Sequence, residues 1–211
     1  MWTGTAASFV DLHPVGATSS EAYAIHGGQQ VGDVLIGDVF HAGLWSGSSG
    51  SYVDLHPSGY VQSRVRASAG YKQAGGADVG GNWHAGTWTG TAESFVDLNP
   101  GGVSSSLLLA TTGNYHAGIA DGRAALWLEN VDGYVDLGAS LGAAFGTSEA
   151  EAIWTDGLTV LVGGYALTAA TGDQRAILWT IAVPEPAAAS LLVMSLVGLY
   201  MSRRWRKQSA M

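Results

Sequence analysis

The chain repeats itself, and the repeat constrains the possible fold more than any other feature of the sequence. A thirteen-residue segment that begins with tryptophan and ends with proline occupies residues 2–14, 45–57 and 88–100, at intervals of 43 residues. A looser fourth copy begins at Trp127, 39 residues after the start of the third. Such a period predicts an array of similar structural units in which each unit contacts its neighbours.

Each unit is predicted to consist of about four short strands. In the first unit these are residues 22–25, 30–34, 41–45 and 51–55, each bounded by Gly, Ser, Asn, Asp or Pro. Four strands in a period of about 40–45 residues are typical of a β-propeller blade. We therefore expect an all-β, β-propeller-like array of about four 39–43-residue repeats over residues 1–181.

Two kinds of residue recur at matching positions in these units. The tryptophans are expected to fill the space between adjacent blades: Trp2, Trp45, Trp88, Trp127 and Trp179. The aspartates are expected to form turn hydrogen bonds, mostly before a proline: Asp11, Asp54, Asp97 and Asp136. Both sets are therefore predicted to be structural.

Two accounts of the ends of the array remain open. The strand at residues 8–12 could complete the last unit and close a four-blade ring. Alternatively the chain is truncated, because Met1 directly precedes a repeat tryptophan and no signal peptide comes before it. The truncation is favoured.

The repeated segments resemble a known bacterial family. Residues 24–32, the His-Ala-Gly-Leu-Trp segment at 41–45 and the Val-Asp-Leu strands are similar to bacterial extracellular HAF repeats. The likeness covers roughly residues 17–181, with a small residue in place of the family's Phe and with Arg123 and Arg175 in place of His. The resemblance implies a propeller-like surface protein and brings no established activity.

A separate segment, residues 182–211, has the composition of a targeting signal. Pro184, Glu185 and Pro186 precede an uncharged run at residues 187–201. A membrane-spanning helix needs about 20 apolar residues, with about 17 as the lower limit, so this run spans only by including flanking residues. It is followed by a basic tail that the positive-inside rule keeps cytoplasmic: Arg203, Arg204, Arg206 and Lys207.

This arrangement resembles the C-terminal sorting signal of PEP-CTERM proteins. The resemblance implies export, processing by an exosortase as partner, and a single transmembrane helix at about residues 187–201. The predicted localisation is an inner-membrane intermediate followed by the cell surface or extracellular matrix.

The charge balance of residues 1–181 limits the possible partners. This segment holds five Lys and Arg residues against sixteen Asp and Glu residues, a net charge of −11. Such an acidic surface is a poor partner for phosphate backbones, so nucleic-acid binding is disfavoured. Cysteine is absent, which excludes disulfides and thiolate metal sites.

No constellation of residues predicts catalysis. The Asp-x-His pairs at Asp11 and Asp54 could bind a divalent metal, but a site repeated in each unit better suits turn hydrogen bonding. His41 and His84 recur in the same way and are expected to be structural donors. We therefore predict no cofactor, no metal and no catalytic residue.

Two function classes follow from these observations. The favoured one is a non-enzymatic surface or matrix protein that binds exopolysaccharide or another protein on a rigid scaffold. The alternative is a glycan-active hydrolase or lyase, which would need unique acids or histidines converging on one site, whereas this sequence offers mostly repeated ones.

Overall fold

The fold consists of short antiparallel sheets joined by tight turns, as seen in a computed structural model that describes residues 9–129 and 133–183. In each of the first three sheets, turns of two or three residues join the first three strands, and a longer loop leads to the fourth. The first sheet contains β1 (Ser19–His26), β2 (Gln29–Ile36), β3 (Val39–Trp45) and β4 (Val53–Asp54). The second contains β5 (Ser63–Ala69), β6 (Lys72–Val79), β7 (Asn82–Trp88) and β8 (Val96–Asp97). The third contains β9 (Ser106–Thr111), β10 (Tyr115–Ala120), β11 (Arg123–Leu128) and β12 (Tyr134–Asp136). The last contains β13 (Phe145–Thr155), β14 (Thr159–Thr168) and β15 (Gln174–Ala182).

Strands that are consecutive in sequence are neighbours in every sheet. Short 3₁₀ helices at Ser49–Ser51 and Ala92–Ser94 precede β4 and β8, and a 3₁₀ segment interrupted at Gly142 follows β12 at Gly138–Ala144. The chain divides into two units, residues 1–154 with 162–179, and residues 155–161 with 180–211. In the second unit the Val183 N–H donates to the Leu158 carbonyl at 2.7 Å.

Glycine is required in the second strand of each sheet, where the first strand approaches it closely, and in the first three sheets the ladder between these strands is irregular. A Cβ on Gly32 would lie 1.8 Å from the Glu21 carbonyl oxygen, and one on Gly75 would lie 2.0 Å from that of Arg64. The same contact recurs at Gly118 and Gly164. In the first two sheets the bulge lies directly opposite this glycine, so no larger residue fits there.

The apolar core of the first three sheets lies between successive sheets. Val31, Leu44 and Leu55 of the first sheet pack with Val65 and Trp88 of the second. An equivalent cluster joins the second sheet to the third and includes Trp127. Each sheet therefore buries its apolar face against the next, as in other repeat proteins.

Serine side chains add a hydrogen bond at each of these junctions. The Ser63 hydroxyl accepts from the Ala42 N–H at 3.0 Å, and the Ser106 hydroxyl accepts from the Ala85 N–H at 3.0 Å. The third copy joins the Ala124 N–H to Ser148 at 2.9 Å. All three serines are at most 2% exposed, so these bonds satisfy buried groups.

The all-β prediction is confirmed, but the β-propeller prediction is wrong. The four sheets of three or four strands do not close into a propeller within the described residues. β5 lies against β1, β2 and β3, and β9 repeats this contact with β5, β6 and β7. A four-stranded period of about 40 residues is compatible with both open and closed arrays, because the rotation between sheets depends on packing that the repeat pattern does not encode.

The prediction of a single-pass membrane protein, and of the localisation that depended on it, is also wrong. Over residues 9–129 and 133–183, no helix is long and apolar enough to cross a bilayer. The run at residues 187–201, on which the prediction was based, lies outside the described residues. Hydropathy and flanking charge describe the composition of a segment, and composition alone does not establish that the segment forms a helix.

Candidate functional site

The repeated histidines and aspartates pair with each other within the first two sheets. His41 Nδ1 lies 2.7 Å from an Asp54 carboxylate oxygen, and His84 Nδ1 lies 2.7 Å from one of Asp97. In the third sheet Arg123 takes the place of histidine, with its Nε 3.0 Å from Asp136. The second oxygen of Asp54 accepts the His56 N–H at 2.8 Å, closing the turn. The pairs therefore hold the short fourth strand in place.

The Asp-x-His pairs do not converge as metal ligands. Asp11 accepts the His13 backbone N–H at 2.9 Å, while the His13 ring points to Ser20 at 3.0 Å. His56 repeats this contact with Ser63 at 3.0 Å. Within the described part of the chain, no group of three or more His, Cys, Asp or Glu residues is placed to hold a metal ion.

The predicted repeat tryptophans lie in the interior wherever they are described. Trp45, Trp88 and Trp127 are at most 2% exposed and Trp179 is 7% exposed. Trp2 lies outside the described residues. So do all the residues of the predicted sorting signal and basic tail: Pro184, Glu185, Pro186, Arg203, Arg204, Arg206 and Lys207. Recognition of this segment by an exosortase therefore stays a prediction.

An open groove of about 510 Å³ lies where the first and second sheets meet. We call it the aromatic groove; its lining consists of His56, Pro57, Ser58, Tyr60, Ala92, Glu93 and Phe95. The Tyr60 and Phe95 rings meet edge to face, with centroids 5.1 Å apart. Burial and the nearby His41 lower the pKa of His56, so its ring is neutral near pH 7 and can both donate and accept hydrogen bonds.

Local sequence positions the groove's aromatic wall. Phe95 packs on Trp88 with centroids 4.8 Å apart. Gly86 makes room for this ring, since a Cβ there would lie 2.2 Å from it. The 3₁₀ helix Ala92–Ser94 carries Glu93 and is tied back by Ser94, whose hydroxyl accepts the Thr89 N–H at 2.8 Å. Phe95 and Glu93 are thus held by a rigid turn.

A second cleft, of about 410 Å³, shares Glu93 and Phe95 with the aromatic groove. We call it the lysine cleft; its lining consists of Lys72, Thr87, Thr89, Glu93, Ser94, Phe95, Val96, Leu98, His116 and Glu129. The Lys72 ammonium pairs with Glu129. The His116 ring lies 3.7 Å from the other Glu129 oxygen and 2.8 Å from the Thr111 hydroxyl.

Burial controls the charge of His116. Its side chain is 1% exposed, and the loss of hydration lowers its pKa to about 4, with Glu129 opposing the shift. His116 is therefore neutral at pH 7, while Lys72 and Glu129 neutralise each other. The lysine cleft thus has polar groups but little net charge on its deep wall.

Reasoning from the sequence missed this cluster because it departs from the repeat. In the first two sheets a glutamine occupies the position of His116 and a glycine occupies that of Glu129. The glutamine side chain accepts the glycine N–H at 2.8 Å in both sheets, from Gly47 to Gln30 and from Gly90 to Gln73. The replacement of glutamine by histidine and of glycine by glutamate at these two repeat positions was the sequence signal that could have indicated the cluster.

A buried ion-pair cluster was missed as well. Asp33 is 3% exposed and accepts the Val65 N–H at 3.3 Å, with Arg66 at 3.4 Å and Arg64 at 3.7 Å. The Arg66 guanidinium also lies over the Tyr23 ring, 4.3 Å from its centroid. Burial raises the pKa of Asp33 despite both arginines. This cluster joins the first two sheets and is structural.

Comparison of the chain with protein-family models, with curated proteins and with solved structures gives no match. The likeness to HAF repeats and to PEP-CTERM signals therefore rests on the residues quoted above.

Proposed function

We propose that the protein is a non-catalytic repeat protein that binds a polysaccharide of low charge in the aromatic groove. The observation that carries the proposal is the pairing of Tyr60 and Phe95 beside Glu93 and His56 in an open groove of about 510 Å³. Sugar rings present apolar C–H faces that pack on aromatic rings, and hydroxyls that bond to carboxylates and imidazoles. A groove with a few polar groups among apolar ones suits such a ligand.

Three further observations support a binding role. The repeated polar residues pair with each other, as the His41–Asp54 and His84–Asp97 pairs at 2.7 Å illustrate. The net charge of −11 over residues 1–181 repels polyanions, which favours a neutral glycan over an acidic one. The lysine cleft continues the wall formed by Glu93 and Phe95, giving an extended polymer a second contact.

The proposal predicts that Tyr60→Ala weakens polysaccharide binding about tenfold, or ~1.4 kcal/mol, because one wall of the groove is lost. Affinity electrophoresis in gels that contain dextran, hydroxyethyl cellulose or amylose measures the retardation. Tyr71→Ala is the matched control, because Tyr71 is 73% exposed and lies outside both clefts. Equal retardation of wild type and Tyr60→Ala, or none with any neutral polymer, contradicts the proposal.

A glycan-active enzyme is the second candidate, favoured by one observation. Glu93 and Glu129 both line the lysine cleft, and glycoside hydrolysis uses a pair of carboxylates across the scissile bond. Release of new reducing ends from the same polymers measures this activity. We expect none from the wild type; release that Glu93→Gln abolishes would replace the binding proposal with an enzymatic one.

A further inference from the structure

The last sheet differs from the other three in its number of strands. Within residues 9–129 and 133–183, β13, β14 and β15 form a three-stranded sheet, whereas the others contain four strands. The position that no described strand of the last sheet occupies is that of β4, β8 and β12, each of which contains Val-Asp. The same dipeptide, followed by leucine, occurs at residues 10–12, which precede β1 and are not part of a strand.

One face of β15 is exposed, whereas the same face of the third strand in each of the other sheets is buried. Leu178 precedes its tryptophan by one residue and is 67% exposed, whereas the residues at this position in the other sheets are at most 6% exposed: Leu44, Thr87 and Leu126. Ala176 is likewise exposed, whereas its equivalents Ala42, Ala85 and Ala124 are fully buried. In those sheets the next sheet covers this face.

The first strand of the first sheet exposes the complementary half of the same junction. Ser63 and Val65 of β5 are fully buried against the first sheet. Their equivalents in β1, Ser20 and Ala22, are half-buried and exposed respectively. Each of these two surfaces therefore corresponds to one half of the interface that joins successive sheets, and both remain exposed among the described residues.

The charges at these two places also match. Arg175 stands where His41, His84 and Arg123 stand in the other sheets, and each of those three side chains pairs with the aspartate of its fourth strand. Arg175 is 61% exposed and lies 3.8 Å from Asp173, itself an exposed residue. Of the four repeat aspartates, Asp11 is the one that has no such basic partner among the described residues.

We propose that two copies of this chain associate head to tail, with residues 10–12 of one copy serving as the fourth strand of the last sheet of the other. By analogy with the Leu44–Val53 pair, Leu178 would lie opposite Val10. The Leu12 N–H would donate to the Ala176 carbonyl, as Leu55 donates to Ala42 at 2.9 Å. Asp11 would pair with Arg175.

The Ser20 hydroxyl completes the geometry. It would accept the Ala176 N–H, as Ser63 accepts that of Ala42 at 3.0 Å. The contact of Ser20 with His13 at 3.0 Å is compatible with this, because Ser63 bonds to His56 and Ala42 together. The interface joins two different surfaces, so each added copy leaves one of each exposed, and association grows with concentration.

Cysteine cross-linking tests the register directly, because the chain contains no cysteine of its own. Val10→Cys and Leu178→Cys chains, mixed under mild oxidation, are expected to give a disulfide-linked heterodimer on a non-reducing gel. Val10→Cys mixed with Val79→Cys is the control, since Val79 is 44% exposed and lies at neither surface. Cross-linking no better than this control overturns the proposal.

A double Val10→Cys, Leu178→Cys variant separates association from closure within one chain. Linked dimers and higher species are expected; a linked monomer as the sole product overturns the intermolecular proposal.

Sedimentation equilibrium of the full chain gives an independent readout. Leu178→Glu and Arg175→Asp should each weaken self-association about tenfold, Val79→Glu should not, and a wild type that is monomeric at every concentration contradicts the proposal. Because none of these residues lines the polysaccharide clefts, failure here leaves the binding proposal intact.

Discussion

His116 has a chemical environment that its counterparts Gln30 and Gln73 do not have, because an ionisable ring occupies a buried position. Its pKa falls to about 4 from an ordinary 6.5 because burial disfavours the imidazolium. In the unfolded chain the same ring binds a proton at higher pH. Between about pH 6.5 and 4 the unfolded state therefore holds more protons, and stability decreases as pH falls through this window.

The replacement His116→Gln should remove this acid sensitivity, because glutamine occupies the equivalent position in two other sheets and does not titrate. The wild type should lose on the order of 3 kcal/mol of unfolding free energy between pH 7 and pH 4 through this residue. Urea unfolding at several pH values measures it, with His26→Gln, at an exposed histidine, as the control. An identical pH slope in His116→Gln and wild type would show that burial of this ring is not the cause.

At the scale of the strand, the bulged first strand leaves no room for a side chain on the glycine beside it. Its carbonyl approaches the neighbouring glycine so closely that only a hydrogen fits, as the 2.0 Å between a Gly75 Cβ and the Arg64 oxygen shows. Restoring a regular ladder would shift the strand by a residue and turn Val65 away from the core cluster that contains it. The bulge therefore preserves both the apolar contacts of Val65 and the register of the first strand.

We expect Gly75→Ala to destabilise the protein by about 1–3 kcal/mol or more, because the added methyl must displace backbone. Chemical denaturation monitored by tryptophan fluorescence measures the change. Gly101→Ala is the matched control, since a Cβ there meets nothing within 4 Å and is expected to change stability by less than about 0.5 kcal/mol. A Gly75→Ala variant as stable as the control would mean that the bulge relaxes at no cost.

For the whole molecule, the repeat predicted the units well and their arrangement poorly. Residues 41–45, predicted as a strand, fall within β3 (Val39–Trp45), because alternating apolar residues and bounding turns are local signals. The open arrangement depends on how Val65 of one sheet fits against Val31 of the previous one, which a period cannot express. Tyr60 and Glu93 lie between strands, so their meeting in one groove was equally beyond pattern reasoning.

The serine bonds between sheets have a consequence for how such a chain can change in evolution. The donors are the backbone N–H groups of Ala42, Ala85 and Ala124, so the bond does not depend on which side chain the donor residue carries. Each junction is therefore interchangeable with the next. A gene that gains or loses one whole repeat by recombination still presents every remaining sheet with a matching neighbour, so array length can vary among descendants while the junction itself stays the same.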